Sequence, residues 1–148
     1  MKKIIFLCML TVMSSASIFA ISEPGASERI LKLFHQDFPK IEKPVFYDLG
    51  DSYMVYYKKN DSSSGRVYYD TKGAMVKTLK YYGESELDPF IRGKVADKYT
   101  DKKIFGVTEV LSDDEHSYNI VLEDAKYWYT IVSDETGSIR RVSKLKKT

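Results

Sequence analysis

The sequence predicts an α+β fold, in which one twisted antiparallel sheet of about eight strands carries two helices on one of its faces. Residues 27–38 and 85–99 each place apolar side chains at helical spacing. Each of these stretches is followed by four short segments with a two-residue apolar period, joined by polar turns. A turn of the form Asp-x-x-Gly occurs at residues 70–73 and again at 134–137, which are 64 residues apart. The sequence therefore predicts a tandem repeat of one helix plus a four-stranded antiparallel meander.

The first twenty residues predict a signal peptide. Lys2 and Lys3 give a basic start, residues 4–12 form an apolar run, and small residues lead up to Ala20. The run is shorter than the roughly 20 apolar residues that cross a bilayer, and Cys8 lies too early in it to be a lipid-attachment site. We therefore expect cleavage after Ala20, with Ala16 and Ser17 as alternative sites. We also expect no stable membrane anchor, a mature chain without cysteine, and a periplasmic or secreted location.

Removal of this segment makes the predicted mature chain electrically neutral. The full chain has 23 Lys and Arg against 21 Asp and Glu, and the segment takes two lysines and no acid with it. Nucleic-acid binding needs a clustered surplus of positive charge. We therefore expect no nucleic-acid partner.

The first repeat unit is predicted to cover residues 26–83. Ser27 is a candidate N-cap of its helix, and Pro39 ends that helix because the residue before a proline is driven out of helical geometry. Its predicted strands cover residues 45–48, 53–58, 66–69 and 74–82.

The second unit is predicted to cover residues 84–148, so that residues 21–148 form one domain of two units. Ser85 is the candidate N-cap of the second helix, and Pro89 falls in its first turn, where a missing N–H costs least. Its predicted strands cover residues 104–111, 117–123, 126–132 and 138–144.

No motif in the sequence predicts catalysis, a cofactor or a metal ion. His35 and His116 lie in different units without zinc-ligand spacing, and the acidic turns lack the spacing of a calcium loop. There is no Gly-x-Ser-x-Gly and no phosphate-binding loop. We therefore predict a protein that is not an enzyme. The sequence leaves open a pair of catalytic carboxylates of the kind that glycosidases use. The alternative is therefore an unrecognised enzyme acting on extracytoplasmic glycan or peptide.

Tyrosine is the residue type that stands out. Eleven of the twelve tyrosines lie in or beside predicted strands, several as doublets that put an aromatic ring on both faces of a strand. Two helices cover only one face, so rings on the other face would offer an amphipathic docking surface; alternatively they only stabilise the sheet through cross-strand pairs. The predicted binding residues for a protein or peptide partner are Tyr56, Tyr68, Tyr82 and Trp128.

The closing hairpin points to a known family. Tyr127-Trp128-Tyr129, followed by Asp134, Gly137 and Ile139, combines with the duplicated unit and the signal peptide into a pattern that spans residues 23–147. This pattern resembles the PepSY-like family of exported bacterial proteins, which is similar in fold to the beta-lactamase inhibitor protein. The resemblance implies a non-enzymatic periplasmic or secreted binding module without catalytic residues. The alternative that it implies is an inhibitor of a peptidase or beta-lactamase.

Overall fold

A computed structural model describes residues 25–148, so the predicted signal peptide lies outside the described residues. The elements in chain order are helix α1 (Ala26–Asp37), strands β1 (Val45–Asp48), β2 (Ser52–Lys58), β3 (Ser64–Asp70) and β4 (Met75–Tyr82), a 3₁₀ turn (Glu84–Glu86), helix α2 (Pro89–Lys98), and strands β5 (Lys103–Ser112), β6 (His116–Glu123), β7 (Tyr127–Asp134) and β8 (Ile139–Lys146). Neither α-helix in this part of the chain has the length and apolar character needed to span a membrane.

The eight strands form one antiparallel sheet in the order β1 to β8. Each strand pairs with its neighbours in sequence, which is the arrangement that short hairpin connections favour. Helix α2 lies between β4 and β5 in the sequence, but these two strands pair with each other. The sheet is therefore continuous across the middle of the chain. The predicted α+β class with an antiparallel sheet is confirmed.

The N-cap of helix α1 lies two residues earlier than predicted, so the prediction of Ser27 as its N-cap is wrong. Gly25 occupies the N-cap position in a left-handed conformation, with φ at 82°, and no side chain in the described part of the chain caps the helix. The Gly25 carbonyl accepts the N–H of Arg29 at 3.0 Å, which places Ser27 within the first turn. The helix ends as predicted, because the N–H of Phe38 still reaches the carbonyl of Phe34 at 2.8 Å.

Helix α2 is capped by Asp88, so the prediction of Ser85 as its N-cap is also wrong. Asp88 Oδ1 accepts the N–H groups of Phe90 and Ile91 at 2.9 and 3.1 Å. Pro89 explains the difference, since it keeps the preceding residue out of helical geometry, with ψ at 128°, and so prevents a helix from running through residue 88. Ser85 lies in the 3₁₀ turn instead.

Each helix covers its own part of the same sheet face. Helix α1 buries Ile30 and Phe34 against the first three strands, through Tyr53, Val55, Tyr57, Val67 and Tyr69. Helix α2 buries Ile91 and Val95 against strands β4 to β7, through Tyr82, Val107, Tyr118, Ile120, Leu122, Tyr129 and Ile131. Val67 pairs with Thr78, and Thr78 shares its side of β4 with Tyr82, so the two helices lie on one face.

The two Asp-x-x-Gly turns have the same geometry. In each turn, Oδ1 of the aspartate (Asp70 or Asp134) accepts the backbone N–H groups two and four residues further on. Gly73 and Gly137 have φ of 90° and 79°, and a Cβ on either would come within 3.0 Å of a helix side chain. Both the backbone conformation and the close approach of the covering helix therefore require glycine.

Candidate functional site: the open face of the sheet

The open face is the side of the sheet opposite the two helices. The strand register resolves each tyrosine doublet, because consecutive residues of a strand point to opposite faces. In each doublet the lower-numbered tyrosine faces the open side and the higher-numbered one lies under the helices. The open-face tyrosines are therefore Tyr56, Tyr68 and Tyr81, and the covered ones are Tyr57, Tyr69 and Tyr82.

The prediction of Tyr82 on the open face is wrong. Its side chain is 9% exposed beneath α2, and its hydroxyl donates a hydrogen bond to Glu109 Oε2 at 2.9 Å. Thr78 lies under the helices, and Tyr82 is four residues further along the same strand, so both side chains point to the same face. Tyr81 points to the open face instead. Both members of the doublet satisfy the same apolar pattern, so the sequence alone does not separate them.

The other three predicted residues lie on the open face, although not as one cluster. Tyr56 and Tyr68 are half-buried diagonal neighbours on adjacent strands, since Tyr56 pairs with Arg66. Trp128 is half-buried on β7, five strands away, which corresponds to roughly 24 Å across the sheet. A partner that contacts all three must therefore span most of the sheet.

Phe105 is an open-face aromatic that the sequence analysis missed. The β5–β6 register runs from Ile104 opposite Leu122 to Gly106 opposite Val121, so Phe105 is the extra residue of a β-bulge. The bulge turns Phe105 to the open face, where its side chain is 62% exposed. The neighbouring glycine is the signal that could have revealed it, because a glycine inside a strand often marks a bulge.

Phe105 joins Trp128 in an exposed apolar strip. Its ring meets the Trp128 ring edge-on, with centroids 4.6 Å apart. Leu145 pairs opposite Trp128 and is 63% exposed. Lys147 Nζ lies 4.2 Å from the centroid of the indole and 2.6 Å from Glu123 Oε2, so an ion pair borders the strip.

A groove of about 460 Å³ connects this strip with the tyrosines of the first unit. Its lining includes aromatic and aliphatic side chains of four strands: Tyr56, Tyr81, Phe105 and Val121. Residues 60–64, at the β2–β3 hairpin, form a polar rim on one side of it. An apolar floor with a polar rim is the usual anatomy of a protein-binding surface.

The helix-covered face carries a polar network at the centre of the sheet. Besides the bond from Tyr82, Glu109 Oε1 lies 3.4 Å from Lys80 Nζ and 3.1 Å from His116 Nε2. Burial of the Glu109 carboxyl acts to raise its pKa, but the Tyr82 hydrogen bond and the Lys80 and His116 partners outweigh burial and hold the pKa below its ordinary value. Burial and the bond to Glu109 both raise the pKa of Tyr82.

This network is flanked by cavities of about 210 and 430 Å³. The donors of Tyr82, Lys80 and His116 all converge on the Glu109 carboxylate, which is therefore engaged as an acceptor rather than poised as a free base. Within residues 25–148 no three His, Cys, Asp or Glu side chains approach closely enough to hold a metal ion. The geometry is that of a structural ion-pair network.

No family model matches this chain, and no curated protein is similar to it in sequence. Solved structures are similar in fold. A BLIP-like protein from Bacteroides fragilis matches with a TM-score of 0.60 and 12% identity, over 80% of this chain and 84% of that one. DUF2874 family proteins from Bacteroides uniformis (TM-score 0.59, 16% identity, 79% and 86% covered) and Bacteroides ovatus (0.60, 15%, 85% and 89%) match as well. The chain thus has a BLIP-like fold, and its resemblance to the PepSY-like family stays a prediction.

Proposed function

We propose that this chain is an exported, non-enzymatic binding module that docks a protein or peptide on the open face of its sheet. The observation that carries the proposal is the groove between Tyr56 and Phe105, together with the apolar strip that continues it to Trp128. Half-buried aromatic rings around a concave apolar floor provide a large contact area at a low cost in side-chain entropy.

The bulge at Phe105 supports this proposal independently of composition. A regular strand would alternate its residues between the faces, whereas the bulge adds one large aromatic side chain to the open face. Phe105 is 62% exposed and adjoins both Trp128 and the groove, and a contiguous exposed apolar surface of this kind supports a contact site there.

Export is the second part of the proposal. It rests on the signal-peptide pattern of residues 1–20 and on a mature chain without cysteine, whose two cores need no disulfide.

We also take the two helix-plus-four-strand units to be copies of one ancestral unit. The matching turn geometry at Asp70 and Asp134, and the matching helix ends at Phe38 and Tyr99, support that origin.

A variant in the groove tests the docking. The exported protein is immobilised, its partner is captured from an extracytoplasmic extract and identified by mass, and affinity is measured with the purified partner. Phe105→Ala is expected to weaken binding at least tenfold, because removing a central aromatic anchor costs more than about 1.4 kcal/mol. Phe90→Ala is the matched control, since Phe90 is a 53% exposed phenylalanine on the helical side. Equal weakening by both variants, or no saturable partner at all, would contradict the proposal.

A hydrolase inhibitor is a special case of the same docking. Because the chain is similar in fold to a BLIP-like protein, the hypothesis is that the docked partner is a beta-lactamase or a peptidase. Hydrolysis rates measured with a micromolar excess of the exported protein decide this. Inhibition that Phe105→Ala relieves would support it, and unchanged rates for both enzyme classes would reject the inhibitor role while leaving the docking intact.

A further inference from the structure

Positive charge is concentrated at the last strand of the sheet. Residues 138–148 contain no acidic side chain and five basic ones: Arg140, Arg141, Lys144, Lys146 and Lys147. The preceding residues, 21–137, contain 16 basic and 21 acidic side chains. The predicted mature chain is neutral only because the excess of acid in its body offsets this terminal strand. A neutral protein with segregated charge attracts oppositely charged partners to one place.

Among residues 25–148, four of these cations have no carboxylate partner. Lys147 is paired with Glu123, whereas Arg140, Arg141, Lys144 and Lys146 are exposed and make no ion pair within residues 25–148. Lys144 is held in place by aromatic rings instead: its Nζ lies 3.9 Å from the centroid of Tyr127.

The same strand is an edge of the sheet. Strand β8 pairs only with β7 along the described chain, so its other side turns unpaired backbone N–H and C=O groups outward. It is eight residues long, enough for several ladder hydrogen bonds. The opposite edge, β1, has four residues, follows Pro44, and carries one acid, Asp48, and no cation.

We propose that the β8 edge binds an extended acidic segment of another polypeptide, which adds to the sheet as a ninth strand. Lysines on an edge strand deter pairing between two copies, since like charges would meet. The same lysines would attract an added strand that carries acidic side chains. Lys144 and Lys146 share one side of the strand at a separation of about 6.8 Å, which matches acids at alternate positions of an added strand. This surface is separate from the proposed groove.

Synthetic peptides test the binding. The probe is a fluorescent eight-residue peptide of alternating glutamate and threonine, its counterpart has glutamine in place of glutamate, and anisotropy is measured with the exported protein. The glutamate peptide is expected to bind at least tenfold more tightly, and its affinity to fall as salt is raised. The double variant K144Q/K146Q is expected to lose at least tenfold in affinity. K32Q/K40Q, which removes two exposed lysines from the first unit, is the matched control and is expected to stay within twofold. Thermal unfolding verifies that the variants are folded.

Backbone methylation distinguishes strand addition from charge attraction alone. N-methylation of one alternate set of peptide residues is expected to abolish binding, whereas methylation of the other set leaves it intact, because only one edge of the peptide faces β8. Equal binding of both methylated peptides would overturn the proposal. So would a preference for dextran sulfate or phosphatidylglycerol vesicles over the glutamate peptide, and so would the absence of peptide binding at low salt.

Discussion

Replacing Phe34 by alanine is expected to lower the free energy of unfolding by about 3–5 kcal/mol, the usual cost of emptying a buried phenylalanine site. Phe34 belongs to α1 and is fully buried against the sheet. Its ring stacks on Phe38 at 4.8 Å between centroids and lies 5.6 Å from Tyr57, so its removal leaves a cavity bounded by rings. Stiff rings relax little into a cavity, which keeps the cost high. Urea unfolding followed by far-UV circular dichroism measures the change.

Phe90→Ala serves as the control for this variant as well. It makes the same chemical change on α2, at a side chain that is 53% exposed and borders only Gly137 and Lys94 among the contacts described, and is expected to lower stability by less than about 1 kcal/mol. The described packing of α1 on the first strands would be contradicted if Phe34→Ala lowered the free energy of unfolding by less than about 1 kcal/mol, or by no more than Phe90→Ala does.

Replacing Glu109 by glutamine is expected to lower the free energy of unfolding at pH 7 by about 2–3 kcal/mol, because breaking a buried ion pair leaves the other partner uncompensated. The Glu109 side chain is 14% exposed and joins Lys80, Tyr82 and His116 across strands β4, β5 and β6. The partial exposure of Lys80 keeps the loss below that of a fully buried pair. Glu42→Gln, at an exposed position before β1, is the control and is expected to change stability little.

The pH dependence of the Glu109 effect has a definite sign. The folded-state pKa of Glu109 is depressed, so its carboxylate stabilises the fold above its unfolded-state pKa, and this contribution is lost as pH falls through the folded-state value. The stability gap between the native chain and Glu109→Gln is therefore expected to be full at neutral pH and to shrink below pH about 4. A gap that widens on acidification would contradict this account of the network.

The elements of the fold were largely predictable, but the starts of both helices were not. Hydrophobic periodicity and turn residues act locally, so both helices and all eight strands were predicted near their observed positions. Residue preference alone favours serine as the N-cap of both helices. The structure uses Gly25 and Asp88 instead, one through its backbone conformation and the other through the proline that follows it.

The open face was only partly predictable. The tyrosine doublets revealed that rings lie on both faces, but face assignment depends on register, which pairing partners far along the chain determine. This is why Tyr82 was misassigned and Tyr81 overlooked. The Glu109 network was missed for a similar reason, since it joins residues of β4 to β6 that are up to 36 positions apart and share no local pattern.

Site-specific photo-crosslinking in cells that produce the full chain tests the open face most directly. A photo-reactive phenylalanine analogue replaces Tyr56 on the open face or, as control, Phe90 on the helical side; both positions carry an aromatic ring, so the fold is preserved. The account predicts a covalent adduct of one discrete mass from position 56, lost when Phe105→Ala is added, and no such adduct from position 90. Adducts from position 90 alone, or from neither position, would contradict it.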